Sequence, residues 1–467
     1  MLPRLNLFNP AFMAQVEMLM RLTPPMLELS PTEGFAQGKD LFGRESFGQA
    51  LMWLVTSINE PLVISLDAPW GEGKTTFIKM WQGLLHQHDI PCIYFDAFAN
   101  DFIDDPFLAI AGEIYELAKC ELGEDSGKLA SFKEKAVSVG KILFKSTAKI
   151  AVKAGTAGLL DRSVLEDLGA AGNIADEAST LVERYIEQKL EGRTQEKGAL
   201  EDFKETLTKL AGTLANDGKP LVYIIDEMDR CRPPFALELL ERIKHVFSVQ
   251  GLVFVLVNHS DQLQESVKDC YGPGINAAAY LRKFFSLHVT LPKNTSNKDE
   301  NDSRRFISHL LDSMEIGSSA NQRDDYIDTL TVLARHFRLS LRDLERIASY
   351  LAIYMASTKD QDPFAAIICG LCVMKVIDPT LFGQLVTGNL DQGRVRQFFD
   401  LDKPSQDQLF KSFKYWWQFF LDKNLDESQE WVKGISQVFA RTGYIIDERT
   451  TLLENRAKRL TLFDFNP

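Results

Sequence analysis

The stretch Leu62-Val-Ile-Ser-Leu-Asp-Ala-Pro-Trp-Gly-Glu-Gly-Lys-Thr-Thr-Phe-Ile-Lys79 restricts the fold more than any other part of the chain. The apolar run Leu62 to Leu66 predicts a buried strand, and the spacing of Phe77, Ile78, Trp81, Leu84 and Leu85 predicts a helix after it. Between them, Ala68-Pro-Trp-Gly-Glu-Gly-Lys-Thr75 predicts a phosphate-binding loop. The backbone N–H groups of such a loop and the positive end of its helix hold phosphate oxygens. Gly71, Glu72, Gly73, Lys74, Thr75 and Thr76 are therefore candidate nucleotide contacts. Lys74 is expected to reach β- and γ-phosphates, and Thr75 to offer its hydroxyl to Mg²⁺. Ala68 stands where the motif has its first glycine, a replacement that requires a negative φ.

A second signal lies downstream. Pro220-Leu-Val-Tyr-Ile-Ile-Asp-Glu-Met-Asp-Arg-Cys-Arg232 reads as an apolar strand that ends in two acids. Asp226 is placed to hold the Mg²⁺ shell, and Glu227 to orient or deprotonate an attacking water. Arg230 and Arg232 are open to a γ-phosphate, to a subunit contact or to pairing with Asp229 or Glu227, and pairing is the preferred reading for Arg230. Leu252 to Val257 predicts another buried strand, with Asn258 at its end as the candidate that touches water or the γ-phosphate. Cys92 to Phe95 and Leu287 to Leu291 complete the strands, and Phe95 leads into an acidic, aromatic turn. Arg44, in a Gly-Arg pair before the first strand, and Arg342, near the start of a helix, are further candidate nucleotide contacts. Ser340 is the expected N-cap of that helix. Arg282 and Lys283 are either surface charges or groups that reach a neighbouring subunit's nucleotide.

The remaining organisation follows from composition shifts. The 467 residues divide into an N-terminal arm (1–39), a core in two parts (40–122 and 201–293), a helical insertion (123–200), a helical lid (294–375) and a C-terminal helical region (376–467). In the insertion Lys141, Lys145, Lys149 and Lys153 recur every fourth residue. They predict either a solvated face or a stripe that meets an anionic membrane surface, nucleic acid or an acidic partner. A net charge of −13 and a pI near 5.2 make nucleic acid the less favoured partner. Six scattered cysteines and the lack of ~18 consecutive apolar residues suggest a reducing, cytoplasmic setting without a spanning helix. Cys369 and Cys372, in the apolar run Ala365 to Val373, read as helix packing rather than redox or zinc chemistry. Aromatics from Tyr415 to Phe420 read as core.

Taken together, the motifs resemble the KAP family of P-loop NTPases, on the STAND-like side of the additional-strand ATPases. The matching pieces are Leu41-Phe-Gly-Arg44, Trp70-Gly-Glu-Gly-Lys-Thr-Thr-Phe77, Phe95-Asp-Ala-Phe98 with Asp105-Pro-Phe, Ile225-Asp-Glu-Met-Asp-Arg-Cys231, Val253 to Val257 and Tyr280-Leu-Arg-Lys-Phe-Phe285. The resemblance implies an α/β fold, a doubly wound parallel sheet with a helical insertion and an all-helical lid and C-terminal region. It also implies binding of ATP, or GTP, with Mg²⁺. Members of the family often carry membrane-spanning helices in the insertion, where this chain has its lysine stripe. Several bacterial relatives resemble anti-phage defence components, which sets an expectation of biological role. Two functions fit: a nucleoside triphosphatase that switches a homo-oligomer or an effector complex, and a scaffold that binds ATP, hydrolyses little and recruits an effector.

Overall fold

The computed structural model describes residues 20–103, 105–155, 174–215, 218–294, 301–316, 320–358, 362–422 and 424–462; within these, side chains 144–155, 174–193, 320, 321 and 447 are not described. Five parallel strands form one sheet: β1 (Leu62–Asp67), β2 (Cys92–Asp96), β3 (Leu221–Asp226), β4 (Leu252–Asn258) and β5 (Leu287–Thr290), in the order β2-β3-β4-β1-β5. The central strands β3 and β4 are buried along their whole length, as parallel strands covered on both faces must be. Alternation assigns their side chains: Val222, Ile224, Val253, Val255 and Val257 face one layer, and Leu221, Tyr223, Ile225, Leu252, Phe254 and Leu256 the other.

Helix α1 (Glu45–Ser57) and helix α2 (Lys74–Gln87) cover the first face through Leu51, Val55, Phe77, Ile78 and Trp81. Helices α3 (Pro106–Leu122), α4 (Gly127–Gly155), α5 (Ile174–Leu214), α6 (Pro233–His245), α7 (Ser260–Tyr271) and α8 (Ala277–Leu281) supply the second core cluster. The sheet is thus doubly wound. β4 lies between β1 and β3, the extra strand that the resemblance implies. The described ends of the insertion enter this core, with Phe132 and Phe203 rings 5.6 Å apart and Phe203 meeting Phe107 at 5.4 Å. The boundary expected at 200/201 falls inside α5. Lys141 is exposed on α4, while the side chains of Lys145, Lys149 and Lys153 lie outside the described residues, as does the arm from residue 12 to 19.

Past β5 the chain is helical: α9 (Asp302–Ser313), α10 (Ala320–Phe337), α11 (Leu341–Ala356), α12 (Ala365–Ile377), α13 (Pro379–Val386), α14 (Gln392–Phe398), α15 (Gln408–Leu421), α16 (Glu430–Ala440) and α17 (Arg449–Leu460). Asn301 accepts from the Ser303 N–H and starts α9 at Asp302. Ser340 caps α11 in a reciprocal box with Asp343, whose carboxylate accepts from the Ser340 N–H at 3.0 Å. One hydrophobic cluster runs from Ile307 to Leu460, so the boundary expected at 375/376 falls within a continuous core and inside α12. Cys369 and Cys372 are fully buried in α12, and Trp417 packs at its centre, donating its indole N–H to the Ala366 carbonyl at 3.1 Å.

Candidate nucleotide site

β1 delivers the chain at Asp67, and α2 takes it up at Lys74. The six residues between turn sharply because Gly71 and Gly73 adopt φ of +78° and +77°, values that cost an L-residue its Cβ clearance. Ala68 is absent from the positive-φ positions and stays on the sheet, its N–H donating to the Asn258 carbonyl at 3.2 Å. That local geometry is why alanine replaces glycine there without strain. Lys74 Nζ donates to the Ala68 carbonyl at 2.5 Å and to that of Pro69 at 3.3 Å. Burial, countered by Asp229, Asp226 and Asp67, holds its pKa below the ordinary lysine value.

Strand register sets the acid opposite the loop. Asp226, at the carboxyl end of β3, is fully buried, and Thr75 Oγ1 donates to its Oδ2 at 2.8 Å. Tyr94 donates its hydroxyl to the same oxygen at 3.2 Å, and the Glu227 N–H donates to Oδ1 at 2.8 Å. Burial pushes the Asp226 pKa up and these donors pull it back. Glu227 follows in the left-handed region, φ +58°, and its Oε1 meets Arg230 Nη2 at 3.0 Å. The pairing expected for Arg230 is formed, with Glu227 as partner. Burial raises the Glu227 pKa, the Arg230 cation lowers it, and nearby Asp226, Asp96 and Asp229 add to the rise. Asp229, 5% exposed, accepts from the Trp70 indole N–H and so braces the phosphate loop against the β3 turn.

These groups open on a cavity of about 730 Å³. It is lined by Gly71, Gly73, Lys74, Thr75, Thr76, Asp226, Glu227 and Arg230, and the lid contributes Arg342 and Arg346 from α11. The lining also includes the apolar residues Pro24, Pro25, Met26 and Leu27 of the arm, Leu41, Phe42, and Phe306 and Leu310 of α9, with the rings of Phe42 and Phe306 6.2 Å apart. The described part of the arm is tied to the body in two places, where the Arg21 N–H donates to the Met314 carbonyl at 3.0 Å and Gln87 Nε2 donates to that of Glu33 at 3.0 Å. Arg44 lines the cavity and is 5% exposed, its guanidinium donating to the carbonyls of Glu72 and Pro292 at 3.1 and 3.2 Å. Burial lowers its pKa against the pull of Asp302, Glu72 and Asp40. Glu72 turns elsewhere: its carboxylate pairs with Lys293 at 2.7 Å.

Asn258 is fully buried and does not line the cavity. Its amide donates to Ser65 Oγ at 3.0 Å and to the Leu256 carbonyl at 3.1 Å, and its oxygen accepts from Ser260 Oγ at 3.3 Å. A side chain so engaged in the sheet is not presented to a γ-phosphate. Arg232 is also drawn away, to Asp101. Tyr94, the Trp70–Asp229 brace and the arm residues 24–27 are site features that sequence patterns missed. Tyr94 is a half-buried position two residues before Asp96, but only the pairing of β2 with β3 sets it beside Asp226.

A hydroxyl and a carboxylate in contact are hard oxygen donors suited to Mg²⁺, which keeps water and phosphate oxygens as its other ligands. The strand, glycine loop and helix, with an acid-tipped strand two places along the sheet, define a P-loop NTPase domain. The chain matches the KAP family P-loop domain over residues 45–357, about two thirds of its length, and belongs to that family. It is similar to an uncharacterized protein of Methanocaldococcus jannaschii, 28% identical over 178 residues that cover 36% of this chain and 89% of that protein. Among solved structures it overlaps the Aeropyrum pernix ORC2 protein (ADPNP-ADP complexes) at 12% identity and a TM-score of 0.35, covering 94% of this chain and 96% of that one. Among the described residues no helix is long and apolar enough to cross a membrane.

Proposed function

We propose that this chain is a Mg²⁺-dependent nucleoside triphosphatase, with ATP favoured over GTP, whose hydrolysis switches its conformation or assembly. The observation that carries the reading is the contact of Thr75 Oγ1 with Asp226 at 2.8 Å, on a cavity that Lys74 and Glu227 also line. Lys74 is suited to the β- and γ-phosphates, and Thr75 and Asp226 to the ion, which when bound neutralises phosphate charge. Glu227 orients the attacking water and takes its proton as the terminal phosphate leaves the diphosphate. Arg44 and Arg342 meet the nucleotide from the core and lid sides. Asn258 has no part in this reading. The preference for ATP rests on the resemblance alone, as does a setting in anti-phage defence. The six cysteines, none in a disulfide, suit a reducing cytoplasm. The switch implies a homo-oligomer or a separate effector protein.

The ion pair of Glu227 with Arg230 supports a second reading, a nucleotide-gated scaffold, because a paired carboxylate is a restrained base. Mg²⁺-dependent turnover of ATP and GTP by the full chain, beside Lys74→Ala and Glu227→Gln, separates the two. Turnover lost in both variants, with nucleotide still bound by Glu227→Gln, supports the hydrolase. Tight binding without turnover in the wild type rejects it for the scaffold. For the biological setting, a host protected from phage by the wild type and not by Lys74→Ala supports defence, and equal protection rejects it.

A further inference from the structure

We infer that Arg230 tells a nucleoside triphosphate from a diphosphate: its guanidinium exchanges Glu227 for the terminal phosphate, and the exchange frees the Glu227 carboxylate to prepare water. The inference rests on the nucleotide reading of the cavity and assigns a role that the reading leaves empty. Arg230 and Glu227 both line the cavity with Lys74 and Thr75. Their pair spans one tight turn, Met228–Arg230, closed by the Arg230 N–H on the Glu227 carbonyl at 3.1 Å. Among the described residues Glu227 is the one carboxylate within 4 Å of the Arg230 guanidinium.

The pair is built to be exchanged. Its side chains remain 33% and 20% exposed, a setting in which an ion pair contributes little. A terminal phosphate carries more charge than a carboxylate and accepts a guanidinium through two parallel hydrogen bonds. With Arg230 on the phosphate, the ion pair that restrains Glu227 is broken, and its carboxylate is free to turn to a water. With a diphosphate the guanidinium stays on Glu227, and the base is held.

The test measures ATP and ADP affinities and turnover for the full-length wild type, Arg230→Ala, Arg230→Lys and Lys74→Ala. The expected result for Arg230→Ala is ATP affinity reduced about tenfold or more, the value of a charge-assisted hydrogen bond. ADP affinity should stay within about twofold of wild type, which also certifies the fold, and kcat should fall. Arg230→Lys should recover part of the ATP affinity. Equal weakening of ATP and ADP, or no weakening of either, in Arg230→Ala would overturn the inference while leaving the site standing. Lys74→Ala marks the separate failure: if the wild type binds neither nucleotide, or Lys74→Ala binds both unchanged, the nucleotide reading falls and this inference with it.

Discussion

Leu341 donates its backbone N–H to the carbonyl of Gly71 at 3.1 Å, so the first turn of the lid helix rests on the phosphate loop itself. A Cβ on Gly71 would lie 3.1 Å from both Ser340 Oγ and Arg342 Cβ, and φ there is +78°. Gly71→Ala therefore meets the lid and an unfavourable backbone at once. We expect it to lower nucleotide affinity about tenfold, the effect of roughly 1–2 kcal/mol of left-handed strain. Isothermal titration with ATP checks this; unchanged affinity would mean that loop and lid move independently.

The apolar arm over the cavity predicts a division of labour. Met26 is 91% exposed and Leu27 44%, yet both line the cavity, an arrangement suited to a flat base. The double substitution Met26→Ser with Leu27→Ser should weaken ATP several-fold, from ~1 kcal/mol of lost apolar contact, while inorganic tripolyphosphate binds as before. Parallel loss of both ligands would place the arm at the phosphates instead.

Asp226 carries a pH prediction whose sign follows from burial. Its folded pKa is raised, so the folded protein holds the proton more tightly than the unfolded chain. Stability without nucleotide should then fall as pH rises from the ordinary aspartate value through the raised one. Asp226→Asn removes that charge, and the Thr75 and Tyr94 hydroxyls can turn to accept from the new amide. We expect the variant to be more stable at pH 7 by on the order of 1 kcal/mol, a gap that narrows toward pH 4. Denaturation at both pH values decides; a variant less stable at pH 7 contradicts the account.

Much of the site was legible because its chemistry depends on short local motifs. Gly71, Gly73, Lys74 and Thr75 are fixed by one strand, one turn and one helix, and Asp226 and Glu227 by the next acid-tipped strand. The central strands β3 and β4 announced their places by unbroken apolar runs. What the sequence concealed was the meeting of distant segments. Nothing local says that β2 pairs with β3, which places Tyr94 on Asp226, or that residues 24–27 line the same cavity as Lys74. Asn258 shows the reverse error: the end of a central strand is the right place for a phosphate contact, but hydrogen bonds to Ser65 and Leu256 turn the side chain inward.

In the helical third, Arg456 Nε donates to Asp362 Oδ2 at 2.7 Å, and Tyr354 donates to the same oxygen at 2.6 Å. The side chains of Arg456 and Asp362 are 4% and 7% exposed. Removing one partner strands a buried charge, so Arg456→Ala should cost about 3–5 kcal/mol of that region's stability. Urea titration followed by the fluorescence of Trp417 reads it out, and a loss below ~1 kcal/mol would show that the pair is dispensable.

The single core from Ile307 to Leu460 makes the last third of the chain a lever with no internal joint among its buried residues. Its short end is Ser340 and Leu341, seated on a loop a few residues long, and its long end carries α13 to α17. Under the proposed switch, a tilt at Gly71 too small to alter any one bond would be magnified along that lever. The surface that senses the phosphates least directly would then be the one that travels farthest.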